Sequence, residues 1–388
     1  MVNPPLPTAP MTTTSSRIDW LLGLGEQMHT FLETLKVSGT PGRFKPCPRG
    51  TSGAGLDAAL GFSCLAHKIH YSLGLWERRL PREQNAWTSF IQSFQNPSGD
   101  PLDGSWTDAF IDPGLLSGIA PPPLPGLRTR LHHFLTGRPT PRPREDAIRS
   151  ETKQAIATLA QIGLRPLRPF PHFPRSRRDL QRHLERLNWA APWGAGAHAA
   201  LLAVFVQTQA DLLPASPREE LAQALRHFFD ALVHRESGAY FRAAAPPARG
   251  QMINGAMKIL NALDWLDQPI HHPERLIDTT LMQGPPPAGC HVVDWIYVLH
   301  RCGLATHHRR REIQDRCLEI IDLIQTHHHP DGGFSYQPHI AQTSYYQATI
   351  SSGLDEGDIH GSCLLIWALT MIAELLEWEI PGWKVLRP

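Results

Sequence analysis

Helical segments of two kinds alternate along the chain, and this alternation constrains the fold more than any other feature. Six segments are amphipathic and charged: residues 17–35, 83–95, 177–188, 217–234, 272–283 and 309–328. Six others are apolar nearly all round: residues 55–74, 151–163, 196–213, 253–267, 290–303 and 358–376. A helix that is apolar on all sides is buried, whereas an amphipathic helix lies at a surface. The alternation predicts an all-α (α/α)6 double-ring toroid, with an open α-solenoid as the alternative.

The composition excludes several classes of protein. The 388 residues are 41% hydrophobic, which is enough for a large core. A net charge of +1 creates no overall field that would recruit nucleic acid or an anionic membrane. The spacing of the six cysteines fits neither a zinc ribbon nor a small disulfide scaffold, so we expect reduced thiols.

Two segments lie outside the helical pattern. Residues 1–16 lack the basic and apolar parts of a signal peptide and are predicted to be a disordered tail. No stretch reaches the ~18 apolar residues that span a bilayer, so we expect a cytoplasmic protein. One toroid domain, residues 17–388, is interrupted by a proline-rich insertion at 111–145. Within that insertion, residues 127–135 are weakly amphipathic and predict peripheral contact with a membrane surface.

A turn made of glycine followed by an aromatic residue recurs after several outer helices. The three copies are Gly104-Ser105-Trp106, Gly238-Ala239-Tyr240 and Gly332-Gly333-Phe334. Glycine suits a tight turn with positive φ, and the aromatic ring fills the gap between neighbouring helix pairs. The repetition supports the ring architecture.

Two of these turns resemble those of a known superfamily. Residues 90–106 (FIQSFQNPSGDPLDGSW) resemble an interrupted Gln…Gly-x-Trp repeat of squalene–hopene-type triterpene cyclases. Residues 323–338 (LIQTHHHPDGGFSYQP) are similar to turns shared by those cyclases and protein prenyltransferase β-subunits. The resemblance implies an α/α toroid with an isoprenoid substrate in its central cup and acid-initiated chemistry. The Asp-x-Asp-Asp acid motif of the cyclases is absent.

The resemblance to prenyltransferase β-subunits also implies a zinc site. Residues 291–303 are similar to the segment in which those enzymes carry an Asp-x-Cys pair of ligands. Asp294 falls on the aspartate, but Ile296 stands where cysteine is expected, and His360 falls on the third ligand. Cys290 lies one helical turn before Asp294 and could replace the missing cysteine. The implied metal ligands are therefore Asp294, Cys290 and His360.

Polar residues on the apolar helices are candidates for a site in the cup, because polar groups are costly to bury without a partner or a function. The catalytic candidates are Asp294, His360 and Asp358. The substrate-binding candidates are Lys258, Asn254, His198, Glu151, Tyr297, Trp367 and Tyr345. The structural alternatives are a buried Lys258–Asp294 ion pair, an N-cap at Asp358, and aromatic rings that only fill the core.

Three functions remain open at this stage. The first is a terpene-cyclase-like or prenyltransferase-like enzyme that binds a polyprenyl chain. The second is a carbohydrate-active toroid, either a glycoside hydrolase or a polysaccharide lyase. The third is a non-catalytic binding or assembly protein that retains the ring. The polarity of the lumen distinguishes the first two, since an apolar, aromatic-lined cup favours an isoprenoid and a wet groove at the rim favours a sugar.

Overall fold

The computed structural model describes residues 13–120, 142–214 and 217–388. Its helices in chain order are α1 (Thr14–Leu35), α2 (Gly53–Asp57), α3 (Leu60–Ser72), α4 (Pro81–Gln92), α5 (Pro113–Ser117), α6 (Pro143–Gln161), α7 (Arg177–Glu185), α8 (Pro192–Gln209), α9 (Arg218–Leu232), α10 (Arg249–Trp265), α11 (Pro273–Leu281), α12 (Gly289–Ala305), α13 (Arg310–Gln325) and α14 (Ile359–Leu375). Strand β1 (Gln95–Asn96) pairs antiparallel with β2 (Ala109–Phe110), and β3 (Ser344–Tyr345) with β4 (Ala348–Thr349).

Six of the helices form a closed inner ring. In order around the ring they are α3, α6, α8, α10, α12 and α14, and α14 packs back against α3. The amphipathic helices α1, α4, α7, α9, α11 and α13 form the outer layer. The chain is thus an (α/α)6 double-ring toroid, which confirms the predicted fold class. The contact between α14 and α3 closes the ring and excludes the open solenoid.

Burial follows the two kinds of helix. In the inner helix α14, 13 of the 17 residues are buried, whereas two of the nine residues of the outer helix α7 are. A helix surrounded by other helices buries apolar groups on every side, while an outer helix buries only one stripe. The apolar segments named from the sequence all lie in the inner ring.

Helix boundaries differ from the predictions where a side chain caps the backbone. The predicted segment 55–74 is split into α2 and α3, because the Asp112 carboxylate accepts hydrogen bonds from the N–H groups of Ala59 (2.7 Å) and Leu60 (2.9 Å). Helix α1 begins at Thr14, within the predicted tail, because the Thr13 side chain caps it. Residues 1–12 of that tail and residues 121–141 of the proline-rich insertion lie outside the described residues, and so does the predicted membrane-contact segment 127–135.

The glycine turns adopt the predicted backbone. Gly238 has φ 69° and Gly332 has φ 87°, and both following aromatic residues, Tyr240 and Phe334, are fully buried. A Cβ atom at Gly332 would lie 2.6 Å from the Gln27 carbonyl oxygen, so a side chain has no room there. These turns hold outer and inner helices together.

Residues 380–388, here called the floor segment, cross one end of the ring. The Lys384 N–H donates to the carbonyl of Ser72, the last residue of α3 (2.9 Å), and the Arg387 N–H donates to Oε1 of Gln161, the last residue of α6 (3.1 Å). Trp265, at the end of α10, donates its Nε1–H to the Pro388 carbonyl (2.6 Å). All three contacts are at C-terminal helix ends, so among the described residues the floor segment covers the end where the inner helices finish and leaves the end where they begin uncovered.

Candidate functional site

A cavity of about 240 Å³ lies inside the inner ring, and we call it the cup. Residues of α3, α6, α8, α10 and α14 form its wall, together with the turn between β3 and β4 and the floor segment. Its polar side chains are Lys68, Ser150, Lys153, Gln154, Lys258, Asn261, Tyr346 and His360. No described residue of the lining is an aspartate or a glutamate. The rest of the lining is apolar, so the cup combines apolar side chains with polar ones and carries positive charge.

Three lysines on three different inner helices supply that charge. Lys68 is buried and donates to Oε1 of Gln154 (2.8 Å), and Lys258 donates to Oδ1 of Asp294 (3.3 Å). Burial lowers the pKa of Lys68. Burial also lowers the pKa of Lys153 well below its ordinary value, and the charges that act on this group, those of Lys68 and Lys258, are both positive. Three lysines thus share a space whose acidic neighbours, Asp294 beside Lys258 and Glu151 near Lys68, both lie behind the lining.

His360 stands at the first turn of α14, near the open end of the cup. Its Nδ1 lies 2.7 Å from Oε1 of Gln342. An amide oxygen only accepts hydrogen bonds, so Nδ1 carries the proton and Nε2 is left to accept one. Burial lowers the pKa of His360 to about 4, and the charges of Lys68 and Lys258 contribute to this. The imidazole is therefore neutral at physiological pH.

A strained hairpin presents two tyrosines beside this histidine. The two residues between β3 and β4, Tyr346 and Gln347, have φ values of 44° and 71°, a conformation that is costly for residues other than glycine. Tyr346 lines the cup, and its ring centre lies 4.5 Å from that of Tyr345. The Tyr345 ring centre lies 5.8 Å from that of His360. The strain is confined to the turn that places Tyr346 over the lysines.

Tyr345 anchors the hairpin through a buried carboxyl group. Its hydroxyl donates to Oε1 of Glu151 (2.7 Å). Burial raises the pKa of Glu151 to about 8, although the Tyr345 hydrogen bond acts in the opposite direction. Gly61 permits this approach, since a Cβ atom there would lie 2.6 Å from the Tyr345 hydroxyl oxygen. Glu151 and Tyr345, both predicted to bind substrate, are thus a supporting pair behind the cup wall.

The two aspartates predicted as catalytic have structural partners. Asp358 caps α14 by accepting from the Gly361 N–H (2.7 Å), and its other oxygen accepts from the N–H groups of Tyr336 (2.7 Å) and Gln342 (2.9 Å). Burial raises the pKa of Asp358 to about 6. Asp294 pairs with Lys258, and burial raises its pKa even though this lysine opposes the shift. Both arrangements match the structural alternatives drawn from the sequence.

The predicted metal ligands are not grouped around a common point. No cluster of three or more histidine, cysteine, aspartate or glutamate side chains that could hold a metal ion occurs in residues 13–120, 142–214 and 217–388. His360 is engaged with Gln342 and Asp294 with Lys258. All six cysteines, Cys290 among them, are free thiols.

The remaining predicted residues divide between the cup and other places. Trp367 lines the cup together with Lys258 and His360. Asn254 instead contacts His291 (2.9 Å), and Tyr297 donates to Oδ2 of Asp264 (3.2 Å). His198 lies in a separate pocket of about 390 Å³, which it shares with Arg149, Arg175, His172 and His183.

Sequence reasoning missed Lys68 and Lys153. Each is a lone lysine within an inner segment that is otherwise mostly apolar or small, and this is the signal that could have identified them. A lysine at such a position is costly unless it faces a polar space. Tyr346 is among the aromatic residues that the sequence places near the polar candidates, but its position in the cup depends on a turn with positive φ, which the sequence YYQA does not indicate.

The sequence matches no protein-family model, and no curated protein matches it. Similar solved structures include a polysaccharide lyase, with 11% identity over 95% of this chain and 99% of that chain (TM-score 0.47). A glycosyl hydrolase of family 88 from Bacteroides vulgatus is 12% identical over 94% of this chain and 99% of that one (TM-score 0.41). A GH76 α-mannanase from Bacteroides thetaiotaomicron is 11% identical over 93% and 97%, respectively (TM-score 0.41).

The expected kinship with triterpene cyclases and prenyltransferase β-subunits is therefore wrong, because the similar structures are carbohydrate-active enzymes. The expected isoprenoid substrate loses its support with it. Among the described residues, no helix has the length and apolar character needed to cross a membrane.

Proposed function

We propose that this protein binds a carboxylated saccharide in the cup and cleaves it by β-elimination. The observation that carries the proposal is the group Lys68, Lys153 and Lys258 in a cup whose described lining contains no carboxylate, although Lys258 forms an ion pair with Asp294 behind that lining. A desolvated charge without a counterion is costly, and a bound anion removes that cost. The cup therefore suits a ligand that brings its own carboxylate.

The other polar groups of the cup suit hydroxyl groups. The uncharged polar residues of the lining include Ser150, Gln154, Asn261 and Tyr346. Their hydroxyl and amide groups donate and accept hydrogen bonds. A sugar hydroxyl also donates and accepts, so it can pair with either kind of group. Carboxylate and hydroxyl groups together describe a hexuronate.

The residue types favour elimination over hydrolysis. Glycoside hydrolysis ordinarily needs two carboxyl groups on either side of the scissile bond. The described lining has none, whereas it has a neutral histidine, a tyrosine and lysines. These are groups that can remove a proton next to a carboxylate and protonate a leaving oxygen.

In the proposed step, His360 Nε2 takes the proton from the carbon next to the substrate carboxylate. The electron pair released forms a carbon–carbon double bond to the neighbouring carbon, whose bond to the glycosidic oxygen breaks. That oxygen takes a proton from the Tyr346 hydroxyl, and proton transfer through solvent then restores both side chains. The lysines stabilise the negative charge that develops on the carboxylate. No water is consumed, and one product is unsaturated.

Substrate binding also prepares the base. The positive charges of Lys68 and Lys258 help to hold the pKa of His360 at about 4. A carboxylate between these lysines offsets their charge, so the pKa of His360 rises when substrate binds. A base whose pKa lies closer to the working pH is more effective.

The test is a panel of hexuronate oligosaccharides and the same oligosaccharides with their carboxyl groups reduced to alcohols. We expect only the acidic forms to be cleaved, with ultraviolet absorbance from the new conjugated double bond. His360→Gln should lower kcat by ~10²-fold or more. Lys153→Gln should lower kcat/KM by ~10²-fold. The matched control is Lys384→Gln, since Lys384 pairs with Glu77 at the surface and should leave activity unchanged.

Three results would contradict the proposal in different ways. Equal cleavage of reduced and acidic forms would show that the lysines do not recognise a substrate carboxylate. Products that have gained water and lack a double bond would indicate hydrolysis. Binding of acidic saccharides without cleavage of any of them would favour the non-catalytic alternative.

A further inference from the structure

The cup is closed at its far end. The floor segment is held there by hydrogen bonds to the C-terminal ends of α3, α6 and α10, and Leu386 and Pro388 line the cavity. Arg387 adds an ion pair with Asp267 (2.8 Å). Leu386 is buried. A chain that enters from the open end therefore cannot leave through the other.

The lining residues fall into three levels between the opening and the floor. His360 and Tyr346 lie at the opening. The lysines occupy the middle, with Lys68, Lys153 and Lys258 each several residues into their helices. Asn261 and Trp367 lie deepest, and Nδ2 of Asn261 donates to the Pro388 carbonyl (3.2 Å). Trp367 follows His360 by seven positions, so these two levels are ~10 Å apart at 1.5 Å per residue.

The size of the cavity matches a single sugar unit better than a stretch of polymer. Its volume of about 240 Å³ is small beside the ~300–1,000 Å³ of pockets that hold drug-sized ligands. With a carboxylate at the lysines, the bond to the rest of the chain lies toward His360 and Tyr346. The end of the chain then faces Asn261, Trp367 and the floor segment.

We propose that the cup is a blind pocket that takes only the end of an acidic oligosaccharide, so that cleavage removes the terminal unit. Asn261 and Trp367, next to the floor segment, contact that terminal unit. This inference rests on the proposed function, and it adds that the polymer is degraded from an end rather than internally.

The first experiment follows the early products of a hexamer of glucuronic, galacturonic or mannuronic acid by mass spectrometry. We expect pentamer and monomer alone until the pentamer has accumulated. Trimers or tetramers in the first few per cent of turnover would overturn the inference while leaving β-elimination intact.

The second experiment measures binding by calorimetry, with the same hexamer and a form that carries a bulky label at both ends. The blind pocket predicts at least tenfold weaker binding of the doubly labelled form. Equal affinity of the two forms would overturn the inference even if no oligomer is cleaved. Absence of cleavage together with end-dependent binding would overturn only the proposed reaction. If neither form binds at millimolar concentration, both proposals fall.

Discussion

Two polar regions lie side by side at the open end of the ring, and they differ in how their charges are matched. In the loop before α14, the carboxyl groups of Asp331, Glu356 and Asp358 accept hydrogen bonds from backbone N–H groups with each of their oxygens. In the cup, Lys153 has only positive charges acting on it. Polar residues alone therefore do not mark a site. A site is marked instead by a charged group for which the protein supplies no counterion.

The contrast between the two regions can be tested most directly at Asp358. Asp358→Ala leaves the N–H groups of Tyr336, Gln342 and Gly361 without their acceptor, and each buried orphan costs ~1–3 kcal/mol. We expect the free energy of unfolding in urea to fall by about 3 kcal/mol or more. Asp355→Ala is the control, because Asp355 is 65% exposed and should change little. A loss of activity at unchanged stability would instead make Asp358 a catalytic residue.

The opposite result is expected at Lys153. Lys153→Met removes a desolvated charge that has only positive neighbours, so the melting temperature should rise by a few degrees. At the same time, affinity for an acidic saccharide should fall at least tenfold in a titration. A variant that is less stable than the parent would show that Lys153 has a structural partner, and the contrast between the two regions would fail.

Glu151 sharpens the comparison because it is a buried carboxyl group outside both regions. Its pKa in the folded state, about 8, lies above its ordinary 4.5, so the folded protein holds the proton more tightly. The free energy of unfolding should therefore fall as pH rises between these values, by on the order of a few kcal/mol. Glu151→Gln keeps an acceptor for Tyr345 and should abolish this fall. Parallel stability curves for variant and parent from pH 4 to 9 would contradict the assignment.

The smallest effect is expected in the turn of the hairpin. Gln347→Gly replaces a side chain at φ 71° with a residue that adopts this angle freely, and should stabilise the protein by up to ~1 kcal/mol. Gln347→Ala retains the unfavourable angle and should give no gain. If both variants behave alike in thermal unfolding, the turn is not strained, and the cost of holding Tyr346 over the cup has been misjudged.

The fold could be predicted from the sequence because it depends on the period and extent of apolar residues, which a sequence displays directly. Helices α12 and α14 are apolar on every face, and only a fully surrounded position buries them. The helix boundaries were harder to predict, because they depend on side chains that are distant in the sequence. The start of α3 is set by Asp112, more than 50 positions later in the chain.

The site was predicted only in part. Lys258 was predicted from a polar stripe on an inner helix, His360 from its place at the start of the last inner helix and Trp367 from its aromatic ring, and all three line the cup. Asp294 and Asp358 were also predicted as site residues, but Asp294 pairs with Lys258 and Asp358 accepts hydrogen bonds from backbone N–H groups. The reason is that a sequence shows which groups are polar but not which of them find partners. The similarity of the turns led to the wrong substrate class for a different reason. Glycine–aromatic turns stabilise the ring fold and carry little information about the ligand that the ring binds.

The packing of α14 against α3 has a consequence for how the chain folds. Glu356 bonds the backbone of Arg49 and Gly50 across sequence separations of 307 and 306 residues, so the ring closes only when the last segment meets the first. Such non-local contacts slow folding, because loop closure comes before any gain in packing. Until then the apolar faces of the early inner helices stay exposed to aggregation on the ribosome. Successful synthesis should therefore depend on chaperones that hold those faces apart until residues 359–375 emerge.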